Sequence, residues 1–198
     1  MTSKALLIVD VQKDFCPGGS LAVPDGDAVV KPINAMIEYA RKNGWLIVAS
    51  RDWHPAVTNH FKDYGGIWPV HCAQNTPGAE FHPNLDVADA IVVSKGTCVD
   101  EDGYSAFDGH TDGGEELADY LKRHGVDEIY LGGLATDYCV KFTALDAVAP
   151  RHDFTTALLL DACRAVNVNP GDGGKAVEEM RNAGVLISTT AEVTNGRA

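Results

Sequence analysis

Long apolar runs are missing from this 198-residue chain, and none approaches the roughly 20 residues that cross a bilayer. The short run after Met1-Thr2-Ser3-Lys4 ends at Asp10, without the longer core and small-residue cleavage site of a secretory signal. Membrane insertion and export are therefore not expected, and the sequence reads as that of a cytoplasmic protein. Positive charge is scarce too. Sixteen Lys and Arg stand against 28 Asp and Glu, a formal charge of −12. A surface so acidic repels phosphate backbones and anionic lipid, so neither nucleic acid nor membrane is an expected partner. Cysteine is sparse and unpaired in pattern. The five (Cys16, Cys72, Cys98, Cys139, Cys163) are widely spaced, with no Cys-x-x-Cys. That excludes a zinc ribbon or thioredoxin-type motif and suits free thiols in a reducing compartment. Low-complexity segments are also absent: the 20 Gly and 9 Pro lie scattered among periodic segments, which argues against extended disorder.

What is present suffices for a packed core, with 45% hydrophobic residues over a length that suits one domain spanning 1–198. Six short apolar runs without alternation, at residues 5–9, 45–49, 90–93, 128–131, 157–160 and 185–188, read as strands buried on both faces of a parallel sheet. Between them lie helical patterns. Val30, Ile33, Ile37 and Ala40 share a stripe that stops before Gly44, and further helices are expected over 115–123, 136–149 and 174–182. The alternation predicts an open, mostly parallel six-stranded α/β sheet with helices on both faces. Residues 52–85 and 96–114 do not fit the repeat. Loops this long in a compact domain are usually functional, and ligands of open α/β sheets bind beyond the carboxyl ends of the strands.

Polar residues follow those strand ends with regularity: Asp10 after the first, Asp52 and His54 after the second, Lys95 after the third, and Gly132-Gly133-Leu134-Ala135-Thr136-Asp137-Tyr138-Cys139 after the fourth. With Thr136 as N-cap, Cys139 falls in a first helical turn, where unpaired N–H groups and the dipole favour a thiolate. Taken singly each residue has a plain alternative: a core cysteine, a loop-capping Asp10, a Lys95 that snorkels outward. Taken together they offer acid/base, electrostatic and nucleophilic roles. A second constellation, Asp52, His54, His60 and His71, holds three of the seven histidines within 18 residues beside a carboxylate. Mixed O/N donors of this kind suit Zn, Mn or Fe. The alternative is a loop of hydrogen-bonded imidazoles. His82 reads as an outer partner of a metal ligand or as structural, and His110, His124 and His152 as surface residues. Two motifs fail. Asp100-Glu101-Asp102-Gly103 lacks the later ligand and glycine of a calcium loop, and Gly132-Gly133 is too short for a dinucleotide fingerprint.

The stretch Ala5-Leu6-Leu7-Ile8-Val9-Asp10-Val11-Gln12-Lys13-Asp14-Phe15-Cys16-Pro17-Gly18-Gly19-Ser20-Leu21 resembles the opening of nicotinamidases (pyrazinamidases) of the isochorismatase-like hydrolase superfamily. So do Arg51-Asp52-Trp53-His54-Pro55, Trp68-Pro69-Val70-His71-Cys72, Lys95-Gly96 and residues 133–139, in the same order over roughly residues 4–190. The resemblance implies a Rossmann-like sheet with Asp10, Lys95 and Cys139 as catalytic triad. It implies an oxyanion hole from the N–H groups of Ala135 and Cys139, beside a cis peptide at Leu134–Ala135. It further implies one divalent metal (Zn before Fe or Mn) on Asp52, His54 and His71, with His60 a fourth ligand, and pocket walls from Phe15, Leu21, Trp68, Tyr104 and Ala135. The implied reaction is hydrolysis of nicotinamide, and of pyrazinamide, through a Cys139 thioester, in the service of NAD salvage by a monomer or small homo-oligomer. Three other readings stand beside it: a metal-water hydrolase with a passive Cys139, a non-catalytic binding protein on the same fold, and an amidase for another small amide or ureido compound.

Overall fold

The apolar runs do become strands, and their burial divides between two cores. In the computed structural model, which describes residues 3–196, strand β1 (Ser3–Val9) turns Leu6 and Ile8 to one core and Ala5, Leu7 and Val9 to the other. Such two-sided burial is why the run shows no alternation. Met1 and Thr2 of the leader reading, and residues 197 and 198 of the single-domain expectation, lie outside the described residues. Among the described residues no helix is long and apolar enough to cross a membrane.

Among the described residues the sheet has seven strands, in the spatial order β4 (His110–Thr111), β3 (Ile91–Lys95), β2 (Leu46–Asp52), β1, β5 (Val126–Leu134), β6 (Thr155–Arg164) and β7 (Leu186–Ser188). All but β4 are paired parallel. The six-strand expectation is therefore one short. The seventh, β4 (His110–Thr111), pairs antiparallel with Val93 and Ser94 of β3 at the sheet edge. Two polar residues leave no apolar run to read. β6 also continues past residue 160 to Arg164, across a register shift opposite Leu131 and Gly133.

Helix α1 (Val30–Lys42) buries Val30, Ile33, Met36, Ile37 and Ala40 on one stripe against the sheet. α2 (Leu117–Arg123) and α4 (Asp172–Asn182) lie close to their expected spans, and α5 (Thr190–Thr194) is closed by a capping box between Thr189 and Glu192. The helix expected over 136–149 is different. Thr136–Val140 forms one wide π-type turn, broken at Tyr138 (φ −125°, ψ −107°), and the regular helix α3 is only Lys141–Val148. Ala135, not Thr136, precedes the turn, and no side chain caps it. A wide turn of this kind is frequent at functional sites. β1 lies between β2 and β5, so the chain winds outward in opposite directions from it, and the crevice at this reversal faces the carboxyl ends of β1, β2, β3 and β5.

Candidate active site

Pairing register brings the strand-end residues together. Val9 lies opposite Ser50, and Asp52 opposite Lys95. Asp10 leaves β1 in the left-handed region (φ 50°), which Asp tolerates better than most residues. Its N–H donates to Ser50 O (3.2 Å), and Ser50 Oγ donates to its Oδ1 (2.7 Å). Lys95 is wholly buried rather than snorkelling. Its Nζ lies 2.8 Å from Asp10 Oδ2, donates to Asp52 Oδ1 and to the carbonyl of Gly103 (2.7 Å), and stands 3.5 Å from Cys139 Sγ. An ammonium in a dry interior is costly by several kcal/mol unless paired. Here two carboxylates compensate one cation.

These neighbours set the charges. Burial opposes ionisation of Asp52, but Lys95, His54 and His71 outweigh it and hold the carboxyl well below its usual range. Burial likewise opposes the Lys95 charge and is outweighed by Asp10 and Asp52, which push its pKa well up. Asp10 goes the other way, raised by burial despite Lys95. Its Oδ2 is buried without an aligned hydrogen-bond partner, and a carboxylate oxygen of Asp10 lies within 4.8 Å of the Cys139 sulfur. For Cys139 burial dominates, and the thiol is held well above its usual range although Lys95 opposes this. The helix-start argument for a free thiolate therefore fails: the turn is irregular and the sulfur is desolvated. The Leu134–Ala135 peptide is cis, and the Ala135 carbonyl accepts from the N–H groups of Tyr138 and Val140 within the turn that carries the sulfur.

Asp52 joins this cluster to the imidazoles. While Oδ1 faces Lys95, Oδ2 lies 3.6 Å from His54 Nε2 and 3.8 Å from His71 Nε2. The His71 Nδ1–H donates to Pro69 O (2.8 Å), and His60 Nδ1 lies 2.9 Å from Asp102 Oδ1, so each ring keeps Nε2 as its remaining donor atom. Ring nitrogens of His54, His60 and His71 lie within 4.8 Å of one another, and both nitrogens of His54 are buried with no hydrogen-bond partner among the described residues. Orphaned buried imidazole nitrogens beside an ionised carboxylate fit a divalent first-row metal. Gly96 (φ 63°) lies where any Cβ would meet the His54 ring, which explains the glycine after Lys95.

Beside the two clusters lies a narrow cavity walled by Phe15, Leu21, Trp68, Tyr104 and Ala135, with Cys139, Asp52, His60 and His71 on its lining. Trp68 Nε1 donates to Tyr104 Oη (2.9 Å). Of the candidate triad, metal and pocket residues, Asp52, His60, His71, Cys139 and the five wall residues line this cavity, while Asp10, Lys95 and His54 lie behind the lining, against Cys139 and Asp52. His82 does neither: it lines a separate surface hollow of about 460 Å³ with Lys13, Asp14 and Gly18.

Five contributors escaped the sequence reading. Val23, Tyr138 and Val166 also line the cavity. Gln12, fully buried, donates to Asp52 O (2.8 Å) and accepts from Asp52 N (2.8 Å), fixing that residue by both backbone groups. Asp137 accepts from the N–H groups of Val166 (2.9 Å) and Asn167 (2.8 Å), which ties that wall to the turn of Cys139. Only Tyr138, next to Cys139, carried a positional signal.

The isochorismatase domain family matches residues 4–192. The chain is 42% identical to the nicotinamidase of Escherichia coli over 97% of both chains, and 42% identical to the nicotinamidase/pyrazinamidase of Mycobacterium tuberculosis over 93% of this chain and 97% of that one. Among solved structures, the pyrazinamidase of Pyrococcus horikoshii in complex with zinc is similar at a TM-score of 0.85 and 46% identity, covering 94% of this chain and 99% of that one.

Proposed function

The chain belongs to the isochorismatase family, and we propose that within it the protein is a nicotinamidase that hydrolyses nicotinamide to nicotinate and ammonia, and also accepts pyrazinamide. The observation that carries this reading is the position of Lys95 Nζ, in reach of Asp10, Asp52 and Cys139 at once, beside an aromatic-walled cavity. The relatives named above, over nearly their full length, support the substrate class.

In this reading Asp10 Oδ2 takes the Cys139 proton as the sulfur attacks the carboxamide carbon. The carbonyl oxygen becomes an oxyanion facing the N–H groups of Ala135 and Cys139. Asp10 returns the proton to the amide nitrogen, the C–N bond breaks, ammonia leaves and a thioester remains. Asp10 then deprotonates a water that attacks the thioester carbon. The C–S bond breaks, the sulfur regains its proton from Asp10, and nicotinate is released. Lys95 stabilises the charged forms of Asp10 and the sulfur throughout. Phe15, Leu21, Trp68 and Tyr104 hold the ring and exclude water. Asp52, His54, His60 and His71 would hold one divalent metal, zinc before iron or manganese. When bound, it supplies a Lewis-acidic anchor for the pyridine nitrogen or for water beside it. We read the protein as one domain, monomeric or a small homo-oligomer, cytoplasmic, its product feeding resynthesis of pyridine nucleotides.

The test is steady-state ammonia release from nicotinamide, pyrazinamide and a small carbamoylated amide with the purified zinc-loaded enzyme. Nicotinamide and pyrazinamide should show kcat/KM values orders of magnitude above the ureido compound. The reverse order would assign the site to another small-amide hydrolase of the family.

A further inference from the structure

Three consecutive residues after the third strand each grip a different part of the site. The Asp102 carboxylate meets His60 Nδ1 (2.9 Å), the Gly103 carbonyl accepts from Lys95 Nζ (2.7 Å), and the Tyr104 hydroxyl accepts from Trp68 Nε1 (2.9 Å). Their path is fixed by a close approach of two glycines. Gly103 (φ 62°) lies where a Cβ would collide with the Gly96 backbone, so the segment between them is a loop whose two ends meet. The middle of that loop is anchored as well: Val99 O accepts from Asn59 N–H and Thr58 Oγ1, and Asp100 Oδ1 from Asn59 Nδ2 (2.5 Å).

Asp102 itself is two-thirds exposed (67%), whereas the His60 side chain it meets is 4% exposed. A solvated carboxylate contributes little as a surface charge. Aimed at Nδ1 of a buried imidazole, it does something specific. It accepts the Nδ1–H, selects that tautomer, stops the ring from turning, and leaves the Nε2 lone pair for a cation. His71 receives the same restraint from the carbonyl of Pro69.

We propose that Asp102 is a positioning residue of the metal centre, orienting His60 so that Nε2 serves as a ligand. This rests on the reading of Asp52, His54, His60 and His71 as the metal set. Outer partners of metal-ligating histidines typically control affinity by about 10–100-fold. Because Asp102 is exposed and outside the core, its replacement leaves folding intact, which thermal unfolding of the metal-free proteins verifies.

The experiment measures zinc affinity of metal-free protein by competition with a chromogenic chelator, without reference to turnover. Asp102→Ala should bind zinc about 10–100-fold more weakly than wild type, and Asp102→Glu should recover part of the loss. In a His60→Ala background, Asp102→Ala should change affinity by less than about twofold, since the group it orients is gone. Wild-type affinity in Asp102→Ala overturns the proposal. So does an equal loss in the His60→Ala background, which would mean that Asp102 acts through the loop instead. A wild-type protein that takes up no zinc removes the ligand set itself and the proposal with it. The intact-site and missing-site outcomes are thus told apart by the wild-type titration alone.

Discussion

The Nζ of Lys95 lies 3.5 Å from the Sγ of Cys139, and the same ammonium meets Asp10 and Asp52. Burial pushes the Cys139 thiol up although Lys95 opposes it, and in the proposed mechanism the sulfur gains its nucleophilicity as Asp10 removes the proton. A stored thiol beside a base is protected from oxidants that attack a standing thiolate.

Replacing Cys139 by Ala should lower kcat for nicotinamide by several orders of magnitude, as is typical when a covalent nucleophile is lost. The Cys139 side chain is small, and the thermal midpoint should move little. Rapid acid quench of the wild-type reaction followed by mass spectrometry should recover a nicotinoyl adduct on the Cys139 peptide. Wild-type turnover in the alanine variant would restore the metal-water alternative.

Lys95→Met should destabilise the metal-free protein by about 3–5 kcal/mol, because two buried carboxylates lose their counter-ion. The pH dependence follows from the shifts. Lys95 is raised from 10.5, so its contribution is complete below that value and fades only as pH climbs through the folded pKa. Asp52 is lowered from 3.8, so its contribution is complete above that value and fades as pH falls. Urea denaturation near neutral pH should show the full gap between wild type and variant, and the gap should narrow in acid as the variant's carboxyls take up protons.

Gln12→Ala tests a contact with no chemical role of its own. Gln12 satisfies Asp52 N and O, and its Nε2 also donates to Ala79 O (2.9 Å). Each buried backbone group left unpaired costs about 1–3 kcal/mol, so the variant should lose at least that much stability and should bind zinc more weakly as Asp52 loosens. A stability change below about 0.5 kcal/mol would mean water replaces the amide without loss.

Asp137→Ala removes two acceptors from the segment that carries Val166. One cavity wall loosens while the contacts of Lys95 with Asp10, Asp52 and Cys139 remain. KM for nicotinamide should rise about tenfold, the equivalent of a single hydrogen bond to a charged group at the weak end of its range, with a smaller fall in kcat. An unchanged KM would show that Val166 holds its place without the carboxylate.

The sequence made the central strands legible because burial on both faces writes an uninterrupted apolar run, and residues 5–9 are all buried. The same logic located Asp10, Asp52 and Lys95, since each simply follows a run. β4 was invisible because its pairing depends on backbone alone, and His110-Thr111 has no apolar signature. Gln12 and Asp137 were invisible for a related reason. Their partners are backbone groups 40 and 29 or 30 residues away, and nothing in local composition encodes a bond to a distant main chain. The turn at Cys139 misled in another way: in place of a Thr136 cap, the Ala135 carbonyl takes the N–H groups of Tyr138 and Val140, and Asp137 is tied to residues 166 and 167, partners no local signal encodes.

The strand order bears on how the chain can be made. β1 needs β2 on one side and β5 on the other, and β5 begins only at Val126. A polypeptide emerging from the ribosome, or a fragment cut short of that residue, presents one bare edge of a strand whose residues 5–9 are all buried in the finished fold. Such an edge invites pairing with a neighbouring molecule. Premature termination before Val126 should therefore yield insoluble material, and chaperone dependence should end once β5 has been delivered.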